Sequence, residues 1–388
     1  MNAVAKKTLR AAALPEVLAS ATRITIKVGS ALVIDHVSGR ADAVWMLGLA
    51  KDIAMLRAAG KSVVLVSSGA GALGRRYLGL TRKRLRLSEK QAAAAAGQPR
   101  LMSAWVDAFN QVGLKAAQVL LTREDTEKRR RWLNARATIE TLFDLGCVPI
   151  VNENDTVVTE EIRYGDNDRL AARTAQLVCS EAMILLSDVD GLYTDDPRSN
   201  PNASHIATVD AMDPDIEAMA GGANAQTGVG TGGMATKIAA ARIAGSAGCA
   251  TLIAHGGVDR PLSSLGGISG ARFTLLNPQS SLSAAYKAWI AGTVVPAGKL
   301  VLDEGAVNAL HNGKSLLPSG IVDVVGEFEK GESVSIVAPD GLEIARGIVT
   351  YSSEAIMRIR GHASRDIEKI LSYSAGDVVV HRNDMALI

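Results

Sequence analysis

The sequence predicts an α/β protein: a three-layer sandwich around a largely parallel sheet, followed by a small, mostly-β domain. Three observations carry this. Over roughly the first 275 residues, apolar strand-like runs alternate with helical patterns, as in successive βαβ units. Some of the runs, such as Met183-Ile184-Leu185-Leu186, are apolar at every position, which requires burial on both faces of a sheet. After Asn277-Pro278 the texture changes to short alternating segments punctuated by Pro296, Gly298, Gly305, Gly313, Pro318, Gly320, Gly326, Gly331 and Gly341.

Taken in order, strands are expected at Ile24–Val28, Ser62–Val66, Ala116–Leu121, Val148–Val151, Met183–Leu186 and Ala250–Ala254. Helices are expected between them at Val44–Ala59, Ser88–Val112, Arg131–Leu145, Arg169–Cys179 and Met234–Ala247. In the second domain Val334–Val337 and Ile344–Val349 alternate like half-exposed strands. The division expected is a leader over residues 1–20, a catalytic domain over 21–276, a linker over 277–296 and the small domain over 297–388. In the leader, Lys6, Lys7 and Arg10 precede Ala11-Ala12-Ala13-Leu14, but Pro15-Glu16 ends the apolar run too soon for a signal peptide, so it reads as lying outside the fold.

With 388 residues, 47% hydrophobic and 21% charged, the chain can bury a sizeable core. An aromatic content of 4% disfavours a base-stacking surface, and a net charge of +2 gives no global drive toward nucleic acid or membrane. No segment has the apolar length of a transmembrane helix. Cys147, Cys179 and Cys249 stand far apart among apolar residues and read as buried thiols of a reducing cytoplasm.

Chemistry collects at strand ends. Ile24-Thr25-Ile26-Lys27-Val28-Gly29 places Lys27 opposite the Ile24/Ile26/Val28 face, near the edge where open α/β sheets bind ligands. Alone, this fits a solvated edge lysine as well as a phosphate ligand. Ser67-Ser68-Gly69-Ala70-Gly71-Ala72-Leu73-Gly74 reads as a small-residue loop whose N–H groups could cradle an anion, or as a tight turn. Asn152-Glu153-Asn154-Asp155 and Gly165-Asp166-Asn167-Asp168 suit turns and caps individually. Together they gather amides and carboxylates fit to bind an ammonium, hold lysines or ligate Mg²⁺. Leu186-Ser187-Asp188 runs into another acidic turn, and Thr231-Gly232-Gly233-Met234-Ala235-Thr236-Lys237 is a glycine loop feeding a helix, suited to phosphate. Gly60-Lys61-Ser62 and Gly313-Lys314-Ser315 are not Walker A motifs, since Met55 and Asn308 stand where the first glycine must be. The pattern therefore implies phosphoryl transfer by an α/β enzyme and leaves the acceptor open.

These strings, in this order, resemble the amino acid kinase superfamily, and within it the glutamate 5-kinases with their C-terminal PUA domain. The most specific are Val151–Asp155, Gly165–Asp168, Gly191-Leu192-Tyr193-Thr194 with Asp196-Pro197-Arg198, and Gly230–Met234; Leu121-Thr122-Arg123 and Leu133-Asn134-Ala135-Arg136 add to them. The resemblance implies an amino acid kinase fold with a PUA-like domain over 297–388. It also implies transfer of a phosphoryl group from ATP to the γ-carboxylate of L-glutamate, the first step of proline biosynthesis.

Lys27 and Lys237 would neutralise the group in flight, and Asp168 would hold both lysines. Ser68, Asp155 and Asn167 would bind glutamate. Lys27, Ser187, Asp188 and the loop Thr231, Gly232, Gly233, Met234, Ala235, Thr236, Lys237 would hold ATP. Mg²⁺ would bridge the phosphates with no dedicated protein site. Further implications are a cytoplasmic homo-oligomer, proline as feedback inhibitor and γ-glutamyl phosphate reductase as pathway partner. Departures from the family pattern are small: a longer leader, Gly69-Ala70-Gly71-Ala72 without a branched residue, and Ser187 in place of Thr; the stretch Gly221–Val229 is variable.

Two rival readings are another amino acid kinase with a different acceptor and an RNA-associated PUA protein. Residues 298–388 carry nine Lys/Arg against thirteen Asp/Glu, a net of −4, which disfavours strong nucleic-acid binding. Basic runs at Arg82–Arg86 and Lys128–Arg131 read as solvated helix ends, subunit contacts or steering charges.

Overall fold

The computed structural model describes residues 14–82, 84–159, 164, 166–197, 199–211, 213, 216, 233–266, 270–278 and 296–388. The chain divides into two compact units, Met1–Ser280 and Ser281–Ile388.

The first unit is built on an eight-stranded sheet. Its strands are β1 (Arg23–Val28), β2 (Ser62–Ser67), β3 (Lys115–Leu121), β4 (Cys147–Glu153), β5 (Ala182–Ser187), β8 (Thr208–Asp210), β9 (Ala250–His255) and β10 (Phe273–Asn277); β6 (Leu192–Tyr193) and β7 (His205–Ile206) form a separate ribbon. The order is β3-β4-β2-β1-β5-β9-β10-β8, parallel from β3 to β9. β10 then runs antiparallel to β9, with β8 parallel to β10. The helices are α1 (Glu16–Ser20), α2 (Ser30–Val33), α3 (Ala43–Ala58), α4 (Ala70–Tyr77), α5 (Leu87–Asn110), α6 (Arg123–Glu127), α7 (Arg129–Asp144), α8 (Asn167–Leu177) and α9 (Met234–Ser246).

Two apolar cores sandwich the sheet, and successive strand residues alternate between them. Ile24, Ile26 and Val28 of β1, with Ala182, Ile184 and Leu186 of β5, pack against α3, α4 and α5. Met183 and Leu185 of β5, with Val64 and Val66 of β2, pack against α7, α8 and α9. This is the three-layer sandwich that the uninterrupted apolar strands require. The same alternation turns Thr25 and Lys27 toward α8, where the Thr25 and Ser180 hydroxyls meet at 2.7 Å.

Part of the leader expected outside the fold lies inside it. α1 buries Leu18 completely, and Lys61 Nζ donates to the carbonyls of Ala19 at 2.7 Å and Ala21 at 2.5 Å. The lysine of the first false Walker match is thus a structural clamp. Residues 1–13 lie outside the described residues.

The second unit holds a five-stranded sheet ordered β12 (Ile321–Val325), β11 (Lys299–Leu302), β13 (Ser333–Val337), β14 (Glu343–Ile348), β15 (Met385–Leu387). Leu300, Ile336, Tyr351, Ile356 and Val380 centre its own core. It also carries α10 (Glu304–His311), α11 (Ser353–Ile359) and α12 (Ile367–Leu371), which the glycine punctuation concealed. Two of them announce themselves by capping: Asp303 Oδ1 accepts from Ala306 N at 2.6 Å, and Ser352 Oγ from Ala355 N at 3.3 Å.

Candidate active site

The site forms where the parallel strands end. β1 lies between β2 and β5, and Val28 stands level with Ser67 and Leu186, so Gly29, Ser68 and Ser187 share one edge. Lys27 lies one residue inside that edge, nine-tenths buried.

Facing it is Asp168, in the first turn of α8 and fully buried. The helix start is fixed by Asp166, whose Oδ1 accepts from Arg169 N at 2.9 Å. Asp168 Oδ1 pairs with Lys27 Nζ at 2.5 Å, and Oδ2 with Lys237 Nζ at 3.2 Å and the Thr236 hydroxyl at 3.1 Å. Burial alone would raise the Asp168 carboxyl, but the two ammonium groups outweigh it and hold it below the usual carboxylate range. Asp166 goes the other way: burial and the neighbouring Asp168 charge push it up against the hydrogen bond from Arg169. One carboxylate thus holds two ammonium groups side by side in a buried setting. An arrangement of that kind stabilises a group gaining negative charge.

Lys237 comes from the first turn of α9. No side chain caps this helix at Gly233, and the Thr236 hydroxyl donates back to Gly233 O at 2.7 Å. A 13-residue helix whose start, among the described residues, carries no side-chain cap suits a phosphate at its positive end. Thr236 and Lys237 are therefore brought to Asp168, Gly233, Met234 and Ala235 form the helix start that carries them, and Thr231 and Gly232 lie outside the described residues. At the end of β5, Ser187 Oγ donates to Asp188 Oδ1 at 2.9 Å.

Beside this cluster opens a cleft of about 750 Å³, lined by Ser68, Asp155 and Asn167 together with Asn152 and Asp166. Lys27, Lys237, Ser187 and Asp188 do not line it. The two halves of the site join through α8, whose consecutive residues Asn167 and Asp168 serve the cleft and the lysines respectively. Asn167 Nδ2 lies 3.0 Å from Ser67 O, 2.9 Å from Ser68 Oγ and 3.0 Å from Asn152 Oδ1, so its two hydrogens share three acceptors. Asn152 is oriented in turn: its Oδ1 accepts from Glu153 N at 2.9 Å, and its Nδ2 donates to Gln98 Oε1 at 2.9 Å. Glu153 Oε1 accepts from Tyr164 N at 2.7 Å, and burial pushes the Tyr164 hydroxyl up to about 12.

Sequence reasoning missed two of the cations on this wall, Arg75 and Lys90, and left Arg84 among three readings of its basic run. Arg75, Arg84 and Lys90 line the cleft. Arg75 also braces the following loop by donating to Leu80 O at 3.0 Å and to Arg82 O. The basic run Arg82–Arg86 therefore contributes to the site. The run Lys128–Arg131 does not: Lys128 pairs with Glu124 at 2.9 Å, and Arg131 with Asp125 at 3.2 Å. The small-residue stretch after Ser68 is a turn only at Gly69, whose φ of +115° lets α4 begin at Ala70. Gln98 gave no signal, being one polar residue in a long helix.

Residues 22–255 match the amino acid kinase family and residues 298–371 the PUA domain. The glutamate 5-kinase of Caulobacter vibrioides (strain NA1000 / CB15N) is 57% identical over 368 residues, 95% of this chain and 97% of that protein. The glutamate 5-kinase of Rhizobium etli (strain CIAT 652) is 52% identical over 95% of this chain and 94% of that protein. For glutamate 5-kinase 1 of Mesorhizobium japonicum the identity is 50%, over 94% of this chain and 95% of that protein.

Proposed function

Because the chain belongs to the amino acid kinase family, we propose that it transfers the γ-phosphoryl group of ATP to the side-chain carboxylate of L-glutamate, giving γ-glutamyl phosphate for proline biosynthesis. The observation that carries this is the junction in α8, where Asn167 borders a polar cleft with room for an amino acid and Asp168 gathers two lysines. The relatives named glutamate 5-kinase support the choice of acceptor.

A glutamate side chain is ionised at neutral pH, with a reference pKa of about 4.3, so it attacks phosphorus without a general base. The protein's work is positioning and electrostatics. Ser68 and Asn167 hold the substrate, Asp155 takes its ammonium, and Arg75, Arg84 and Lys90 give the wall a positive field for an acid. Lys27 and Lys237 take the oxygens of the transferred group, held in register by Asp168. The α9 N-terminus, Ser187 and Asp188 hold the nucleotide.

Mg²⁺ fits this edge, since hard cations take oxygen ligands and the Asp188 carboxylate stands there. Among the described residues no group of three or more His, Cys, Asp or Glu could hold it alone, so it would arrive with the phosphates and neutralise their charge. Catalysis belongs to residues 21–276. The acidic module at 297–388 serves assembly or regulation, with a homo-oligomer, proline inhibition and supply of a γ-glutamyl phosphate reductase in the cytoplasm as parts of the same reading.

The test is a hydroxylamine trap: with Mg·ATP and L-glutamate the protein should give γ-glutamyl hydroxamate. Equal yield from N-acetylglutamate, which lacks the ammonium, would sink the assignment. Asp155→Ala should raise the glutamate KM on the order of 10²-fold, with ATP KM little changed, because it removes one charged contact to substrate worth about 1.5–3 kcal/mol. Were the loss to appear instead in the Mg²⁺ dependence, Asp155 would be a metal ligand.

A further inference from the structure

A second cavity, of about 370 Å³, lies against the other end of α4 and is lined by Arg40, Arg76, Arg100, Tyr77 and Leu73 with Gly39 and Ala41. Among the described residues its wall has three guanidinium groups and no acid. Among the described residues, no carboxylate lies within ion-pair distance of these three arginines. This sets them apart from Arg123, Arg131, Arg260 and Arg360, each paired with Asp or Glu.

The arrangement is fixed from two sides. Arg100, half-buried on α5, donates to Ala96 O at 2.5 Å and lies 3.2 Å from the centre of the Tyr77 ring. Arg76 rests on the turn 35–40, where Gly39 N donates to Asp35 O at 2.7 Å and Asp35 N to Arg40 O at 2.9 Å. Gly39 has φ +61°, and a Cβ there would come within 2.5 Å of Arg76 Nη1. Glycine thus keeps the space in which the guanidinium lies. Three guanidinium-bearing residues lining one cavity without a counter-charge suit the oxygens of a phosphate, and their charge suits a di- or trivalent anion.

We infer that this cavity is a binding site for a compact phosphate-bearing anion, separate from the cleft of the proposed reaction. Its occupancy reaches that cleft through helices the two share. α4 lends Ala70 and Arg75 to the cleft and Arg76 to the cavity, and α5 lends Lys90 and Arg100 likewise. The helices touch backbone to backbone: a Cβ on Gly74 would fall 1.6 Å from Ala93 O, and one on Gly97 1.7 Å from Ala70 O.

The experiment is calorimetric titration of inorganic pyrophosphate into the full-length protein, in Mg²⁺-free buffer with saturating ADP to fill the proposed nucleotide site. No turnover is read, so failure of the kinase reading and failure of this one are distinguishable. Wild type should bind with a Kd that weakens as salt rises. Arg76→Gln and Arg100→Gln should each raise it at least about tenfold, the value of one charge-assisted contact. Arg123→Gln, whose arginine pairs with Glu127, should leave it unchanged. Should the α4 or α5 variants fail to fold, Arg40→Gln on the exposed turn carries the same expectation. No pyrophosphate binding in wild type, or equal affinity in the cavity variants, would overturn the inference. So would unchanged affinity with an altered mass by light scattering, which would assign the arginines to an interface.

Discussion

Asp168→Asn is expected to cost more stability than any other single change in this site, and as much activity as the loss of either lysine. The substitution keeps the shape but leaves two ammonium groups facing each other in a buried setting, with side chains 8% and 4% exposed. Removing one partner of a buried ion pair typically costs about 3–5 kcal/mol, because the remaining charge is uncompensated. The lysines would move apart, and kcat should fall on the order of 10²–10³-fold. The folded Asp168 carboxyl is held below its ordinary value of 3.8. Its contribution to stability is therefore complete above that value and is lost as pH falls through the lower folded one. Urea melts of wild type and variant at neutral pH should differ by that amount, and should converge in strong acid. Equal midpoints at pH 7 would mean that Asp168 holds nothing together.

The second large effect concerns the lysines themselves. Lys27→Met and Lys237→Met should each lower kcat on the order of 10²–10³-fold while leaving the glutamate KM within a few-fold, since the charge removed is used in the transition state. Stability should suffer less than in Asp168→Asn, because either variant still pairs one carboxylate with one ammonium. Steady-state kinetics beside the same urea melts check both halves. A variant with near-normal kcat would take its lysine out of the reaction.

The central strands were legible because a strand buried on both faces must be apolar at nearly every position, and Met183–Leu186 is. The side on which Lys27 lies was legible from alternation alone. What Asp168 does was not: Asp at a helix start is ordinary capping chemistry, and here Asp166 does the capping while Asp168 turns inward. The residues alone offered holding lysines as one of three uses for these carboxylates, and only the resemblance chose it for Asp168. Arg75 and Lys90 escaped, and Arg84 stayed one charge of an ambiguous basic run, because they reach the cleft from α4, α5 and the loop between them, brought there by the α4–α5 packing. The helices of the second unit escaped because glycine punctuation reads as turns, although Asp303 and Ser352 were available as caps.

The alternation of β1 between two cores has a consequence for how this gene can change. Substitutions along Arg23–Val28 alter one contact at a time, but the insertion or deletion of a single residue inverts every face after it. An ammonium would then point into the packing of α3 and α5, and an isoleucine or valine would face Asp168 in its place. Fold and chemistry would be lost in one event, so the reading length of this strand is protected by both at once.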